Sequence, residues 1–165
     1  MNRAFVKEPD EGAPAEGLPE RQVSDHDNYV TPAGLRQLEA KVGELETRRL
    51  ELLEGDDPGG ELTYVDRDLR YFTARLESAI PVDMARQPRR KVAFGAAVTV
   101  SQPGGDRRTF TIVGEDEADL REGKISYVSP LAEALVDARV GKTVPWRRPA
   151  GDLRLTVEAI DYPES

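Results

Sequence analysis

Residues 31–79 read TPAGLRQLEAKVGELETRRLELLEGDDPGGELTYVDRDLRYFTARLESA, and their apolar side chains fall into two runs with helical spacing. Both runs alternate steps of three and four residues; only Arg49 breaks the first, and the second is unbroken. The first run is Leu35, Leu38, Val42, Leu45 and Leu52, and the second is Leu62, Val65, Leu69, Phe72, Leu76 and Ala79. Each run predicts a helix with a single apolar seam.

The segment between the two runs, residues 53–61, reads LEGDDPGGE and cannot continue a helix because it contains Pro58 and three glycines. Two seams joined by so short a turn bury each other only if the helices fold back antiparallel. We therefore predict a coiled-coil hairpin over residues 29–80, a finger about 27 Å long at 1.5 Å per residue. Its far end carries four carboxylates, those of Glu54, Asp56, Asp57 and Glu61.

These tip carboxylates have two interpretations. Hard cations such as Mg²⁺ prefer oxygen ligands and keep most of their waters, so one or two carboxylates suffice when a partner supplies the other ligands. Under this hypothesis Asp56 and Asp57 would share Mg²⁺ with a partner, since the chain alone encloses no ion. Alternatively, Asp and Gly stand here because they form turns.

The regions around the finger have different compositions. Residues 1–28 are rich in Pro, Gly, Asp and Glu, which predicts a disordered acidic tail and makes the lone His26 a solvated residue. Thr31 and Pro32 form a strong helix start. The second helix begins at Asp57-Pro58 or after the glycines, and Pro81 stops it. Residues 81–91 are predicted to be a linker.

From Val92 onward the period changes to that of strands, and residues 92–165 are predicted to form the second domain. Strands are predicted over residues 92–100, 108–114, 125–128 and 153–160, with an edge strand or connection at 144–146. The segment 102–106 is predicted to be a hairpin turn. One short helix is predicted over Pro130–Arg139, capped by Ser129. The fold class is therefore α+β: an antiparallel helical hairpin followed by a small antiparallel sheet packed by one helix.

Composition excludes several classes of function. The 165 residues carry 23 Lys and Arg against 31 Asp and Glu, a net charge of −8, which argues against binding free DNA through a basic face. Cysteine is absent, and the single histidine has no nucleophile beside it, which excludes a Cys nucleophile and a catalytic triad. No apolar run is long enough to span a bilayer. We expect a cytoplasmic monomer without membrane contact.

Several short motifs resemble a known family. They are Tyr29-Val30-Thr31-Pro32-Ala33-Gly34 with Leu38; Arg70-Tyr71-Phe72-Thr73 with Leu76-Glu77 and Val82-Asp83; Val92, Phe94-Gly95-Ala96 and Val98; Thr109-Phe110, Ile112-Val113-Gly114 and Glu115-Asp116-Glu117; Gly123, Ile125-Ser126, Ser129-Pro130-Leu131-Ala132 and Ala134-Leu135; Val140-Gly141-Lys142; Pro149-Ala150-Gly151; and Val157, Ala159-Ile160 and Tyr162. Over about residues 29–162 the chain resembles the bacterial GreA/GreB transcription elongation factors, and its C-terminal domain is closer to GreB.

The resemblance implies an FKBP-like C-terminal domain that docks beside the secondary channel of RNA polymerase, with nucleic acid met only inside that complex. It implies that the docking residues include Ser126, Ser129, Pro130 and Leu131. The coiled coil would enter the channel. The chain would be an accessory factor and not an enzyme, with no cofactor of its own. In active members two tip carboxylates help to hold the second Mg²⁺ and a water while the polymerase hydrolyses the backtracked transcript.

The chain departs from the family at the tip and at one docking position. The motif Gly-Asp-x-Ser-Glu-Asn-x-(Asp/Glu)-Tyr is absent; only Gly55-Asp56 matches its start. Each hairpin arm is shorter by more than two turns, so the tip would stop about 10 Å short of where a Gre tip acts. Val128 replaces a docking acid that some members carry.

We therefore expect a Gre-like factor that binds RNA polymerase at the secondary channel and modulates elongation. One alternative is an active cleavage-stimulating factor that uses Asp56 and Asp57. The other is a peptide-binding or isomerase-like module unrelated to transcription.

Overall fold

The structure, a computed structural model, describes residues 17–163 as a two-helix finger followed by a five-stranded sheet. The elements in chain order are β1 (Tyr29–Val30), α1 (Pro32–Glu54), α2 (Glu61–Ser78), β2 (Ile80–Pro81), β3 (Ala97–Ser101), β4 (Arg107–Val113), β5 (Lys124–Ser126), α3 (Pro130–Leu135), β6 (Thr143–Trp146) and β7 (Leu153–Asp161), with 3₁₀ turns at Met84–Arg86 and Leu120–Glu122.

The predicted hairpin is confirmed. α1 begins after Thr31, whose hydroxyl accepts a hydrogen bond from the Gly34 amide. The seam between the helices buries Leu45, Leu52 and Val65, with Leu62, Leu69 and Phe72 packed against them. The interruption of the seam at Arg49 has a physical reason: its Nε donates to Asp66 of α2 at 2.7 Å. The break in the apolar pattern is thus an ion pair between the two helices.

The α+β class is also confirmed, and the strand order of the sheet is β5-β4-β3-β7-β6. One pairing differs from the prediction: β4 and β5 run parallel, so the sheet is mixed and not wholly antiparallel. The reason is the connection over residues 114–123, whose 3₁₀ turn at Leu120–Glu122 carries the chain back along β4 before β5 begins. Residues 143–146 form the edge strand β6, paired only with β7.

Three predicted elements extend too far: the strand predicted over 125–128 ends at Ser126, and two others differ by more. The strand predicted from Val92 begins only at Ala97, because Gly95 adopts a φ of +87° where a Cβ would lie 2.2 Å from the Met84 Sδ. Val92 is nevertheless fully buried, and its amide donates to the Ala138 carbonyl at 2.9 Å. The helix predicted to reach Arg139 ends at Leu135, because the following residue, Val136, is extended.

Two predictions about the less regular segments need correction. Residues 1–16 of the predicted disordered tail lie outside the described residues. Residues 17–28, however, run along α2, and Asn28 is 4% exposed. The disorder prediction failed here because it considered only apolar residues, whereas polar and cation–π contacts hold this segment against α2. The predicted linker, 81–91, contributes Met84 to the core of the sheet domain, so it packs as part of that domain.

Candidate functional site

The fingertip, residues 53–61, is closed by the side chain of Asp57. Its two carboxylate oxygens accept hydrogen bonds from the amides of Glu61 at 2.7 Å and Leu62 at 2.9 Å. Gly60, directly before α2, has a φ of +66° and no side chain with which to cap the helix. Asp57 therefore supplies the acceptor that the free amides at the start of α2 require.

A second tip carboxylate is engaged across the hairpin. Glu61 accepts two hydrogen bonds from Arg48 of α1, from Nε at 2.9 Å and from Nη2 at 2.7 Å. These bonds and the positive charge of Arg48 hold the pKa of Glu61 below its usual value. Glu54 and Asp56 are exposed. The structure thus brings the four predicted tip acids to one end of the finger but uses two of them to fasten its helices.

The tip does not fit a Mg²⁺ ion held by this chain. Within residues 17–163 no group of three or more His, Asp or Glu side chains is arranged to hold a metal. Of the pair predicted to share Mg²⁺ with a partner, Asp57 has both oxygens bonded to backbone amides, which leaves only Asp56 uncommitted. This arrangement agrees with the interpretation of Asp57 as a turn-forming residue.

We expect Asp57→Ala to lower the free energy of unfolding by about 1 kcal/mol, because two amides at the start of α2 lose their acceptor. Asp56→Ala is the matched control in the same turn and should change this free energy by less than about 0.5 kcal/mol. Urea unfolding of both variants measures the difference. Equal losses in the two variants would contradict the capping role of Asp57.

The second candidate surface is a groove of about 480 Å³ on the sheet domain. All four residues for which the resemblance implies docking line it: Ser126, Ser129, Pro130 and Leu131. The two serine hydroxyls accept local backbone hydrogen bonds: that of Ser129 from Ala132 at the start of α3, and that of Ser126 from Val128. Apart from these two hydroxyls and the cations described next, the groove is lined by apolar side chains.

The opposite wall of the groove combines an aromatic ring with positive charge. Trp146 of β6 packs edge-on against Phe110, with ring centroids 5.9 Å apart. The Arg148 guanidinium lies 5.1 Å from the Trp146 ring centre, and its Nε donates to the Gly151 carbonyl. Arg147 and Lys124 add two further cations to the lining. Apolar walls with a cationic rim suit a protein surface in which carboxylates flank an apolar side chain.

The finger and the sheet domain meet around Arg75 of α2, whose side chain is 1% exposed. Its Nε donates to Asp116 at 2.6 Å, and its Nη2 donates to the Asn28 side-chain oxygen at 2.8 Å. Tyr71 donates to the other oxygen of Asp116 at 2.6 Å. Burial and this hydrogen bond raise the pKa of Tyr71 to about 12. Burial alone would lower the pKa of Arg75, but the hydrogen bond and charge of Asp116 raise it above its ordinary value.

The loop after β4 makes two more close contacts with the base of the finger. The Thr31 hydroxyl donates to the Glu117 carboxylate at 2.7 Å while it caps α1. A Cβ at Gly34 would lie 3.1 Å from that carboxylate, and a Cβ at Gly114 would lie 2.5 Å from the Tyr29 carbonyl. Only glycine at position 114 permits the observed approach of the two backbones.

Sequence reasoning missed this junction. It gave Arg75 no role and placed Asn28 in a disordered tail, and the acids of residues 115–117 entered only as part of a family motif. One usable signal was present: an arginine directly beside an apolar seam and three consecutive acids directly after a buried strand. Neither the fingertip nor the groove touches this junction, but the junction joins the two parts of the chain that carry them.

Comparison with known proteins agrees with the resemblance. The family model described as "Transcription elongation factor, GreA/GreB, C-term" matches residues 87–162. Transcription elongation factor GreB of Neisseria meningitidis serogroup B is 35% identical over 153 residues, covering 82% of this chain and 94% of the relative. GreB of Xanthomonas axonopodis pv. citri is 36% identical over 151 residues, covering 81% and 90%.

Solved structures that match include the elongation factor GreA/GreB of Nitrosomonas europaea, with 25% identity, a TM-score of 0.42 and coverage of 82% of this chain and 99% of the other. The GreA factor homolog 1 (Gfh1) of Thermus thermophilus matches with 23% identity, a TM-score of 0.41 and the same coverage. Within residues 17–163, none of the helices is both long and apolar enough to cross a membrane.

Proposed function

The chain belongs to the GreA/GreB family of transcription elongation factors, and we propose that it binds RNA polymerase as an accessory factor without chemistry of its own. The observation that carries this proposal is the groove: all four residues predicted to dock on the polymerase line one apolar groove with a cationic rim. The occupant would be an acidic polymerase surface with an exposed apolar side chain.

In this proposal the groove supplies affinity and the finger supplies the effect on elongation. With the sheet domain docked beside the secondary channel, the finger enters the channel and stops about 10 Å short of the position of a longer Gre tip. Two of its tip carboxylates are already bound to an arginine and to backbone amides. The chain then occupies the channel and competes with longer relatives, and it lends no ligand to the polymerase metal.

We expect Leu120→Asp to weaken binding to RNA polymerase about tenfold or more, because it places a carboxylate on the apolar wall that faces the partner. Leu120 is 72% exposed, so the fold should persist. Arg147→Glu, which reverses a charge on the rim, should weaken binding in the same direction. Fluorescence anisotropy of labelled chain titrated with the core polymerase measures both variants.

Val140→Asp is the matched control, since Val140 is 61% exposed on the same domain and does not line the groove. It should bind as the unmodified chain does. Unchanged binding by Leu120→Asp and Arg147→Glu, or an equal loss in Val140→Asp, would overturn the groove as the docking site.

A further inference from the structure

Residues 17–28, here called the N-terminal brace, follow the outer side of α2. Glu20 accepts two hydrogen bonds from Arg70, from Nε at 3.1 Å and from Nη2 at 2.5 Å. These bonds and the charge of Arg70 lower the pKa of Glu20. Arg70 lies about 12 Å along the helix from the end of α2 at Ser78, at 1.5 Å per residue. The brace therefore reaches well up the finger and is not confined to its base.

The next residue of the brace makes the broadest contact. The Arg21 guanidinium lies 4.0 Å from the centre of the Tyr71 ring and 5.0 Å from that of Phe72, and it pairs with Asp68 at 3.5 Å. Tyr71 and Phe72 themselves pack edge to face. One side chain of the brace thus covers two aromatic rings on the flank of α2 by cation–π contact.

The other end of the brace is attached to both parts of the chain. Asn28 donates to the Arg75 carbonyl of α2 at 2.7 Å, and its own carbonyl accepts from the Ile80 amide at 2.8 Å. The Tyr127 hydroxyl, just beyond β5 in the sheet domain, donates to the Asp27 carbonyl. This end of the segment is therefore fixed at the point where the finger leaves the sheet domain.

We propose that the N-terminal brace sets the direction of the finger relative to the sheet domain. The covalent chain passes between the two parts at the β1–β2 pair, which is two residues long, and Arg75 and Tyr71 bind Asp116 of the sheet domain beside it. The contacts of Glu20 and Arg21 with α2, about 12 Å from the base of the finger at Arg70, add to this junction in opposing rotation of the finger. The Glu20 and Arg70 side chains are 60% and 58% exposed, so the brace can detach from α2 without unfolding the core. The proposal concerns the free chain and does not depend on polymerase binding.

The chain contains no cysteine, so two spin labels can be introduced at Glu54→Cys on the finger and Arg154→Cys on the sheet domain. Pulsed electron paramagnetic resonance then gives the distribution of distances between them. Deleting residues 1–24 removes the contacts of Glu20 and Arg21 with α2. It should make the distribution about twice as wide or move its maximum, since the finger gains rotational freedom.

Deleting residues 1–16 keeps the brace and is the matched control, which should give the distribution of the full chain. Glu20→Gln combined with Arg21→Ala in the full-length chain should reproduce the effect of the longer deletion. Thermal melting monitored by circular dichroism shows that each variant is folded. Identical distributions for the two deletions, or for the double substitution and the unmodified chain, would overturn the proposal.

Discussion

Arg75→Met should lower the free energy of unfolding by about 3–5 kcal/mol, the largest loss we expect from any single substitution in this chain. Methionine preserves much of the apolar stem but removes every donor. The Asp116 carboxylate then loses its buried counter-charge at 2.6 Å, and the Asn28 side-chain oxygen loses its donor at 2.8 Å. The Asp116 side chain is 13% exposed and Asn28 is 4% exposed, so leaving these groups unpaired is costly.

The matched control is Arg67→Met on the same helix. Arg67 pairs with its neighbour Asp68 at 3.0 Å and is 22% exposed, so its replacement should cost less than about 1 kcal/mol. Arg75→Lys should recover only part of the loss, because a single ammonium cannot occupy the positions of both Nε and Nη2. Urea unfolding followed by circular dichroism measures all three. A loss below about 1 kcal/mol in Arg75→Met would show that the junction contributes little to stability.

The hairpin could be predicted from sequence because its information is local. Spacings of three and four residues define each seam, and Pro58 with the glycines of residues 55–60 defines the turn. Even the one irregularity, Arg49, was visible as a break in the pattern. Its partner, Asp66, was not, because pairing across the hairpin depends on the register of the two helices.

The junction and the brace could not be predicted in the same way. Arg75 and Asp116 are 41 positions apart, and Arg70 and Glu20 are 50 apart. Contacts between such distant residues leave no periodic trace in one sequence, and polar segments with few apolar residues resemble disordered ones. The parallel pairing of β4 with β5 could not be predicted from one sequence either, because it depends on how the chain returns over residues 114–123. The groove residues were found only through the family resemblance.

The second large effect that we expect is on transcript cleavage in stalled, backtracked elongation complexes, and it follows from the structure of the tip. Added alone, the chain should leave the transcripts uncleaved, with a rate within about twofold of that without any factor, because its tip offers no assembled metal site. Added in excess over a cleavage-stimulating GreB, it should slow cleavage about tenfold, since both proteins would occupy one docking surface and one channel. Gel analysis of labelled transcripts over time measures both effects.

Three variants separate the docking surface from the tip in this assay. Asp56→Asn with Asp57→Asn should leave the inhibition of GreB unchanged, because neither carboxylate acts on the metal. Leu120→Asp should relieve the inhibition, because it weakens docking. Removing one heptad from each arm, residues 46–52 and 62–68, keeps the turn and shortens the finger by about 10 Å. This variant should leave polymerase binding intact and remove the direct effect on elongation rate, since the shortened finger no longer fills the channel.

Cleavage by the chain alone that disappears in the Asp56 and Asp57 double variant would overturn the proposal. For that to happen, Asp57 would have to release the amides of Glu61 and Leu62, and α2 would lose its cap. In a metal-binding tip, Asp57→Ala would therefore abolish cleavage with little loss of stability. In the tip described here, the same substitution lowers stability and leaves cleavage unchanged. The stability of Asp57→Ala and the cleavage assay together therefore distinguish a tip that fastens two helices from a tip that binds metal.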